Sequence, residues 1–330
     1  MKRIQYAIAR RETGNASGKA KKDAFDIALK MGFLPSYHPS DIQFVRVVQQ
    51  IFTISKFKGE KIIFFQYPAV SEQLMGMLRK TVTKDSYKIA LIHDLSSIQG
   101  FDNYSKERES DFISIFDCLI VHNEKMKEYV KKIGYSGKLV VLDLFDYLHD
   151  PLHPIKDDPF SNSISFAGNL GKARFLKDLG KIHCNWLLYG VKGDIDFENY
   201  SNVSYKGLLP SDEIQYLMEG DYGLVWDGDS IETCSGSNGE YLKYNNPHKL
   251  SCCIAAGKPV ITWKQAAIAE YVEKNQIGIT VNSLEELNNI DLNNGYREMK
   301  INVMRLKEEI AKGMFLERAI EKALQLGDVK

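Results

Sequence analysis

The sequence predicts an α/β protein built from two doubly wound domains. Three observations carry that expectation. Short apolar runs alternate with helix-like segments in both halves of the chain, the pattern of parallel sheets covered by helices on both faces. The alternation breaks once, at residues 148–160, where LHDPLHPIKDDPF carries three prolines and reads as a linker. Finally, 330 residues with 44% hydrophobic and 26% charged side chains exceed one average domain and can fill two cores.

The elements follow in order from that pattern. In the first half, strands are expected at 4–9, 33–37, 61–66, 87–92, 118–122 and 139–142, with helices at 19–31, 42–55, 71–80, 105–116 and 124–133. In the second half, strands are expected at 163–167, 186–189, 203–205, 222–226, 259–262 and 277–280. Helices are expected there at 212–218, 247–256 and 283–289. Between residues 226 and 246 the chain reads as a long polar loop without a regular period. The tail from Leu292 is helical in pattern, with a break near Gly313. The domains are therefore placed at 1–150 and 161–313, followed by a C-terminal helix at 314–330.

The formal net charge is zero, so no affinity of the whole chain for polyanions follows. Charge is nonetheless uneven: residues 1–30 carry eight Lys or Arg against three acids, and residues 211–240 carry eight acids and no Lys or Arg. A basic N-terminal face suits an anionic membrane surface, although a solvated charged face is the simpler reading. The basic cluster is short and holds no interleaved stacking aromatics, so nucleic acid is not an expected partner. The odd count of five cysteines, with no CxxC pair and no signal peptide, points to reduced thiols in a cytoplasmic protein. No apolar run approaches a membrane span, which leaves peripheral contact at the inner face of the membrane.

Several constellations carry chemistry. Gly14, Asn15 and Ser17 lie in a turn after the first strand. The run GNASGK resembles a phosphate-binding loop, but its spacing is wrong and Ala20 stands where Ser or Thr is needed. It still allows a substrate to approach the backbone, and an ordinary βα turn is an equal reading. His93 and Asp94 end the strand KIALI, where α/β enzymes keep catalytic groups. Either could take a proton from a hydroxyl; Asp94 could equally just cap the next segment. Gly168, Asn169, Lys172 and Arg174 form a glycine-containing turn with charge for phosphate. Asn246-Pro247 opens a helix with Lys249 in its first turn, an arrangement that attracts phosphate through free N–H groups and a point charge. Asp227-Gly228-Asp229 is a triplet that some enzymes use to hold a metal against a sugar diphosphate. Two doubly wound domains favour instead phosphate neutralised by helix N-termini and basic side chains. No histidines show metal-ligand spacing, and no cofactor is expected.

These residues resemble a known family. GLVWDGDSIETCSG (223–236) and YLKYNNPHK (241–249) are similar to the bacterial O-antigen and capsule β-1,6-galactofuranosyltransferases. Those are relatives of the glucosyltransferase-3-like enzymes that extend glycans on serine-rich adhesins. KKDAFDIA (21–28), LIHDL (91–95), FDYL (145–148) and FAGNL (166–170) extend the similarity in order along the chain. The resemblance implies a GT-B fold, two Rossmann-like domains around a central cleft, with the nucleotide sugar on the C-terminal domain and the acceptor on the N-terminal one. It also implies that the last helix returns to the first domain. Asn246 and Lys249 would contact the diphosphate, Gly168, Asn169 and Lys172 would line the phosphate side, and Asp227, Asp229 and Thr233 would lie near the donor.

The resulting expectation is a metal-independent, inverting glycosyltransferase moving galactofuranose from UDP-galactofuranose to a sugar hydroxyl of a surface polysaccharide precursor. Asp94 is the expected base, with His93 next in line, and Lys249 and Arg174 would stabilise the departing UDP. The acceptor glycan would be lipid-linked or protein-linked, and self-association into a homo-oligomer is left open. Two alternatives remain: a UDP-glucose-dependent transferase extending an adhesin glycan, and a non-catalytic, glycan-recognising subunit of another transferase.

Overall fold

A computed structural model of the chain describes residues 1–6, 16–35, 45, 48–49, 61–68, 86–99, 105–154, 159–197 and 199–328. The chain divides into two compact units. One comprises Met1–Thr13, Ala20–Leu142 and Gly313–Lys330, and the other Gly14–Lys19 and Asp143–Lys312. The division therefore falls after Leu142, and the proline-bearing stretch belongs to the second unit. There Tyr216 Oη accepts from the Asp150 N–H at 2.8 Å, and its ring lies 4.1 Å from that of His153.

The first unit is a parallel sheet of β1 (Lys2–Tyr6), β2 (Leu34–Pro35), β3 (Lys61–Tyr67), β4 (Ser86–Ile92), β5 (Cys118–Val121) and β6 (Lys138–Val141). Their order is β2-β1-β3-β4-β5-β6, which reverses between β1 and β3. β3 is buried along its whole length, as expected of a strand covered on both faces. Phe64 and Phe65 point to opposite faces, against Phe33 at 5.8 Å and Tyr6 at 5.4 Å. Helix α1 spans Ala16–Lys30, α2 spans Lys106–Ile113 and α3 spans Glu124–Lys132. Ser105 and Asn123 cap α2 and α3 by accepting from the N–H groups of Arg108 and Met126, which satisfies donors the helix cannot pair itself.

The second unit holds β7 (Ser163–Ala167), β8 (Asn185–Tyr189), β9 (Val203–Gly207), β10 (Tyr222–Val225), β11 (Val260–Trp263) and β12 (Gly278–Val281). All pair in parallel, in the order β12-β11-β10-β7-β8-β9. This is the doubly wound order of dinucleotide-binding sheets, with its reversal between β7 and β10. Its helices are α4 (Ile214–Leu217), α5 (Gly236–Tyr241), α6 (His248–Ala255), α7 (Ala269–Lys274) and α8 (Tyr296–Lys312). After Gly313, which has a left-handed φ of 82°, α9 (Met314–Leu326) packs on β5 and β6 of the first unit. Tyr87 Oη donates to the Ala323 carbonyl at 2.9 Å, and Lys30 pairs with Glu317 at 2.6 Å.

Several expectations shift in detail. The polar loop after β10 contains α5, a helix whose GSNGEY sequence has no apolar period to announce it. The turn after β7 runs into two 3₁₀ segments, Leu170–Lys172 and Arg174–Lys181, and a further one at Leu284–Asn289 replaces an expected α-helix. α7 was not read from the sequence. Of the helices expected at 42–55 and 71–80, only Val45, Val48 and Gln49 are described, and they are helical; residues 7–9 of the first expected strand also lie outside the described residues. No helix among the described residues is long and apolar enough to cross a membrane.

One close approach sets the position of α6. Gly223 in β10 faces Cys253 so directly that a Cβ there would sit 2.7 Å from the Cys253 Cβ. Gly223→Ala should therefore overpack this contact and cost about 1–3 kcal/mol. In urea unfolding of the second-unit transition, the Gly223→Ala/Cys253→Gly double variant, which removes the opposing Cβ, should recover most of that loss relative to Cys253→Gly alone. A fully additive loss would show that the two groups do not meet.

Candidate functional site

The carboxyl ends of the second sheet are built from glycine. Gly168 follows β7, Gly190 follows β8, and Gly207 ends β9. Gly168 N–H donates to the Tyr189 carbonyl at 3.0 Å, and Gly190 N–H donates to the Gly207 carbonyl at 2.9 Å. Gly190 has a φ of +139°, and a Cβ there would collide with the Gly168 carbonyl. Only glycine tolerates both demands. One turn further on, Gly171 and Gly193 also touch through their backbones. The rim is therefore low and backbone-lined where strand order reverses, the position at which sheets of this kind take ligands.

Lys249, the second residue of α6, reaches into this rim. Its Nζ donates to Asp227 Oδ1 at 2.5 Å and to the Trp226 carbonyl at 3.3 Å, and lies 5.0 Å from the centre of the Phe166 ring. A Cβ on Gly168 would come within 3.2 Å of Lys249 Cε. Elements β7 and β10 thus supply a cation–π face, a carbonyl and a carboxylate to one ammonium group. Beside it is the start of α6, where Pro247 occupies the cap position and no side chain caps the helix. The first backbone N–H groups of a helix have no partner within it and favour an anion.

The helix start is stitched to residues 143–147 at the head of the unit. Asn246 Nδ2 donates to the Asp143 carbonyl at 2.7 Å, and Ser251 Oγ donates to the Phe145 carbonyl at 2.6 Å. Asn246 is only 4% exposed. Its amide nitrogen therefore braces the turn that aims α6. His248 stacks on Tyr147 at 5.0 Å, with both ring nitrogens buried and unpartnered. The similarity of FDYL and NPHK to one family thus reflects a single packed substructure.

The loop after β10 is ordered by backbone contacts. Gly228 has a φ of +117° and lies against Ser235, while Gly239 in α5 lies against Cys234 and the Asp227 carbonyl. Trp226 Nε1 donates to the Ser230 carbonyl at 3.0 Å. Asp227 is half-buried, whereas Asp229 and Thr233 are exposed. Asn169, just before the first 3₁₀ segment, and Lys172 and Arg174 within the two segments are exposed, and among the described residues neither Lys172 nor Arg174 makes an ion pair. No group of three His, Cys, Asp or Glu among the described residues could hold a metal ion.

In the first unit, His93 and Asp94 follow β4 directly. His93 is buried, and its Nε2 lies 2.9 Å from Gln66 Oε1. Gln66 Nε2 donates to the Lys21 carbonyl at 3.1 Å, which turns the amide oxygen toward the imidazole and makes Nε2 the protonated nitrogen. Asp94 is half-buried, and its Oδ1 accepts from Gln99 Nε2 at 2.8 Å. Gly14 and Asn15 lie outside the described residues, and Ser17 falls in the first turn of α1. Phe166, Gly190 and Gly193 were missed as site residues. The GVKG run immediately after a buried strand is the signal that could have found the two glycines.

Two models of one family match the chain: glucosyltransferase 3-like, N-terminal domain, over residues 5–144, and glucosyltransferase 3-like, C-terminal domain, over residues 164–323. The chain is 29% identical over 327 residues to β-1,6-galactofuranosyltransferase WbbI of Escherichia coli (strain K12), covering 94% of each chain. It is 28% identical over 244 residues to glucosyltransferase 3 of Streptococcus gordonii, covering 70% of this chain and 69% of that one. Among solved structures, a glycosyltransferase from Rickettsia africae ESF-5 aligns with a TM-score of 0.61 at 12% identity, covering 100% of both chains. Anabaena HepE in complex with UDP aligns with a TM-score of 0.60 at 11% identity, covering 99% of this chain and 100% of that one. The structural likenesses establish the fold, which is GT-B.

Burial pushes the His248 imidazole down to about 3 and that of His149 down to about 4. Unfolded histidine titrates near ~6.5. Below that value the unfolded chain takes up protons that the folded unit refuses, so stability is full above about 6.5 and falls as pH drops toward the folded values. The urea midpoint should decline from pH 7 to pH 5. His248→Phe, which keeps a ring on Tyr147, should flatten the decline by up to about 1.4 kcal/mol per pH unit; an unchanged slope would show that His248 is not buried in its neutral form.

Proposed function

The chain belongs to the glucosyltransferase 3-like family and is a glycosyltransferase, and we propose that it transfers galactofuranose from UDP-galactofuranose to a sugar hydroxyl of a surface-polysaccharide precursor with inversion at the anomeric carbon. The observation that carries this reading is the placement of Lys249 and an uncapped helix start beside a glycine rim at the β7/β10 reversal. A diphosphate there meets free backbone N–H groups, a lysine ammonium and no obstructing Cβ. The choice of galactofuranose rests on similarity to the galactofuranosyltransferase along nearly the whole chain.

In this mechanism Asp94 accepts the proton of the acceptor hydroxyl as its oxygen bonds to the anomeric carbon. The bond from that carbon to the diphosphate oxygen breaks, and UDP leaves with the electron pair. Lys249 and the α6 N–H groups stabilise the charge that develops on the leaving oxygen. This assignment calls on no metal, because Asp227, the carboxylate best placed to hold one, is already paired with Lys249. Asp227 then fixes the lysine and accepts from a sugar hydroxyl, with Asp229 and Thr233 on the same loop. Asn246 contributes by holding the turn, and Lys172 and Arg174 offer further charge from the neighbouring turn. The acceptor glycan is carried on a polyprenyl diphosphate at the cytoplasmic leaflet.

A second reading, glucosyl transfer from UDP-glucose, is favoured by the 28% identity to glucosyltransferase 3. A donor screen separates the two: turnover with UDP-glucose and none with UDP-galactofuranose would replace the first reading by the second. Lys249→Ala should weaken UDP binding by roughly 10–100-fold in calorimetry, the scale of a lost charge-assisted contact. Unchanged affinity would remove the diphosphate from this rim. Asp94→Asn should lower kcat by about 10²–10⁴-fold with UDP affinity intact, and near-normal turnover would move the base to His93.

A further inference from the structure

We propose that Glu109 is the residue that positions Asp94 for proton transfer, acting through the backbone of the loop between them. Glu109 lies in the first turn of α2 and is fully buried. A buried carboxylate is costly unless its oxygens are satisfied. Here both are, and by one target. Glu109 Oε1 accepts from the Ser96 N–H at 3.1 Å, and Oε2 accepts from the Ser97 N–H at 2.8 Å. Tyr67 Oη, at the end of β3, donates to Oε1 at 3.0 Å.

The clamped amides lie two and three residues beyond Asp94. The loop from His93 to Gln99 has no regular structure of its own beyond a turn, in which the N–H groups of Ile98 and Gln99 donate to the Leu95 carbonyl at 3.2 and 3.4 Å. That turn carries Gln99, whose amide holds Asp94 Oδ1. Ser97 Oγ adds a contact of 2.9 Å to Tyr129 Oη on α3. Glu109 therefore fixes the two amides that set the turn, and the turn fixes Gln99 and the direction of the Asp94 carboxylate. Glutamine cannot replace it, because its NH₂ would face an N–H donor at one of the two positions. Aspartate keeps both oxygens but is one methylene short.

This inference rests on the reading of Asp94 as the base. A misplacement of the base of about 1 Å is enough to cost roughly 10²-fold in rate. Steady-state kinetics of the full chain with the UDP-sugar it turns over should show kcat lowered about 10–100-fold in Glu109→Gln. Donor KM should stay within about twofold, and near-UV circular dichroism should stay native. Glu109→Asp should fall between this variant and the parent, and it carries the test if Glu109→Gln fails to fold. Tyr67→Phe, which spares the clamp, should lose no more than about threefold. A folded Glu109→Gln or Glu109→Asp with the parent's kcat, beside a strongly impaired Asp94→Asn, overturns the role of Glu109 alone. Near-normal turnover by Asp94→Asn overturns the base assignment and this positioning role together. A rise in donor KM with kcat unchanged also overturns it, since it would place Glu109 in donor binding.

Discussion

The second unit depends on how closely α6 lies against β10. The missing side chain at Gly223 lets Cys253 touch the strand, and that contact fixes the height of the helix above the sheet. From there Lys249 can reach Asp227 and the Trp226 carbonyl and still sit on Phe166. Phe166 lies in β7, and Trp226 and Asp227 directly follow β10, the two strands that flank the reversal of strand order, so a small shift of the helix would break all of these contacts together. The glycines at 168 and 190 impose the same closeness on the rim. Precision at this site comes from backbone against backbone, with side chains added only where charge is needed.

Charge counted along the sequence overstates the field of the folded chain. The acidic stretch 211–240 reads as eight uncompensated carboxylates, yet half of them are spoken for. Asp221 is 5% exposed and accepts from the backbone N–H and hydroxyl groups of Ser161 and Ser163. Glu219 pairs with Lys206 at 2.7 Å, Asp227 with Lys249 at 2.5 Å, and Glu240 with Lys243 at 2.6 Å. All three cations lie outside the stretch: Lys243 is a local partner three residues beyond Glu240, and the fold brings in Lys206 and Lys249. Exposed pairs contribute little to stability, but three of the eight charges are offset by them, which reduces the apparent acidic face.

What could be read in advance follows the same division. Strands were legible where burial on both faces makes a continuous apolar run, as in β5, CLIV, expected at 118–122 and found at Cys118–Val121; β7 was placed to the residue at 163–167 although serine alternates with its apolar residues. The helix carrying Lys249 was legible through Pro247 at its start and Gly257 at its end. α5 was not, because its six residues are held by Gly239 against Cys234 and the Asp227 carbonyl rather than by an apolar stripe. The bond from Asn246 to the Asp143 carbonyl, 103 residues away, leaves no trace in the local pattern. Glu109 is the extreme case. In sequence it is one charge in the helix KERESDFI, indistinguishable from its solvated neighbours Glu107 and Asp111.

The basic N-terminal segment shows why net charge is a weak guide to partners. Arg3 donates to the Met31 carbonyl, Lys19 to the Leu148 carbonyl and Lys21 to the Pro68 carbonyl. Lys22 pairs with Asp26 and Lys30 with Glu317, while Arg10 and Arg11 lie outside the described residues. Lys19 is buried and also lies 4.6 Å from the centre of the Tyr147 ring. Lys22 and Lys30 are thus offset by acids, whereas Arg3, Lys19 and Lys21 keep their full charge, because a neutral carbonyl satisfies a donor without cancelling its charge. Attraction to an anionic membrane therefore does not scale with this segment's count of cations, since two of them are offset by acids and Lys19 is buried.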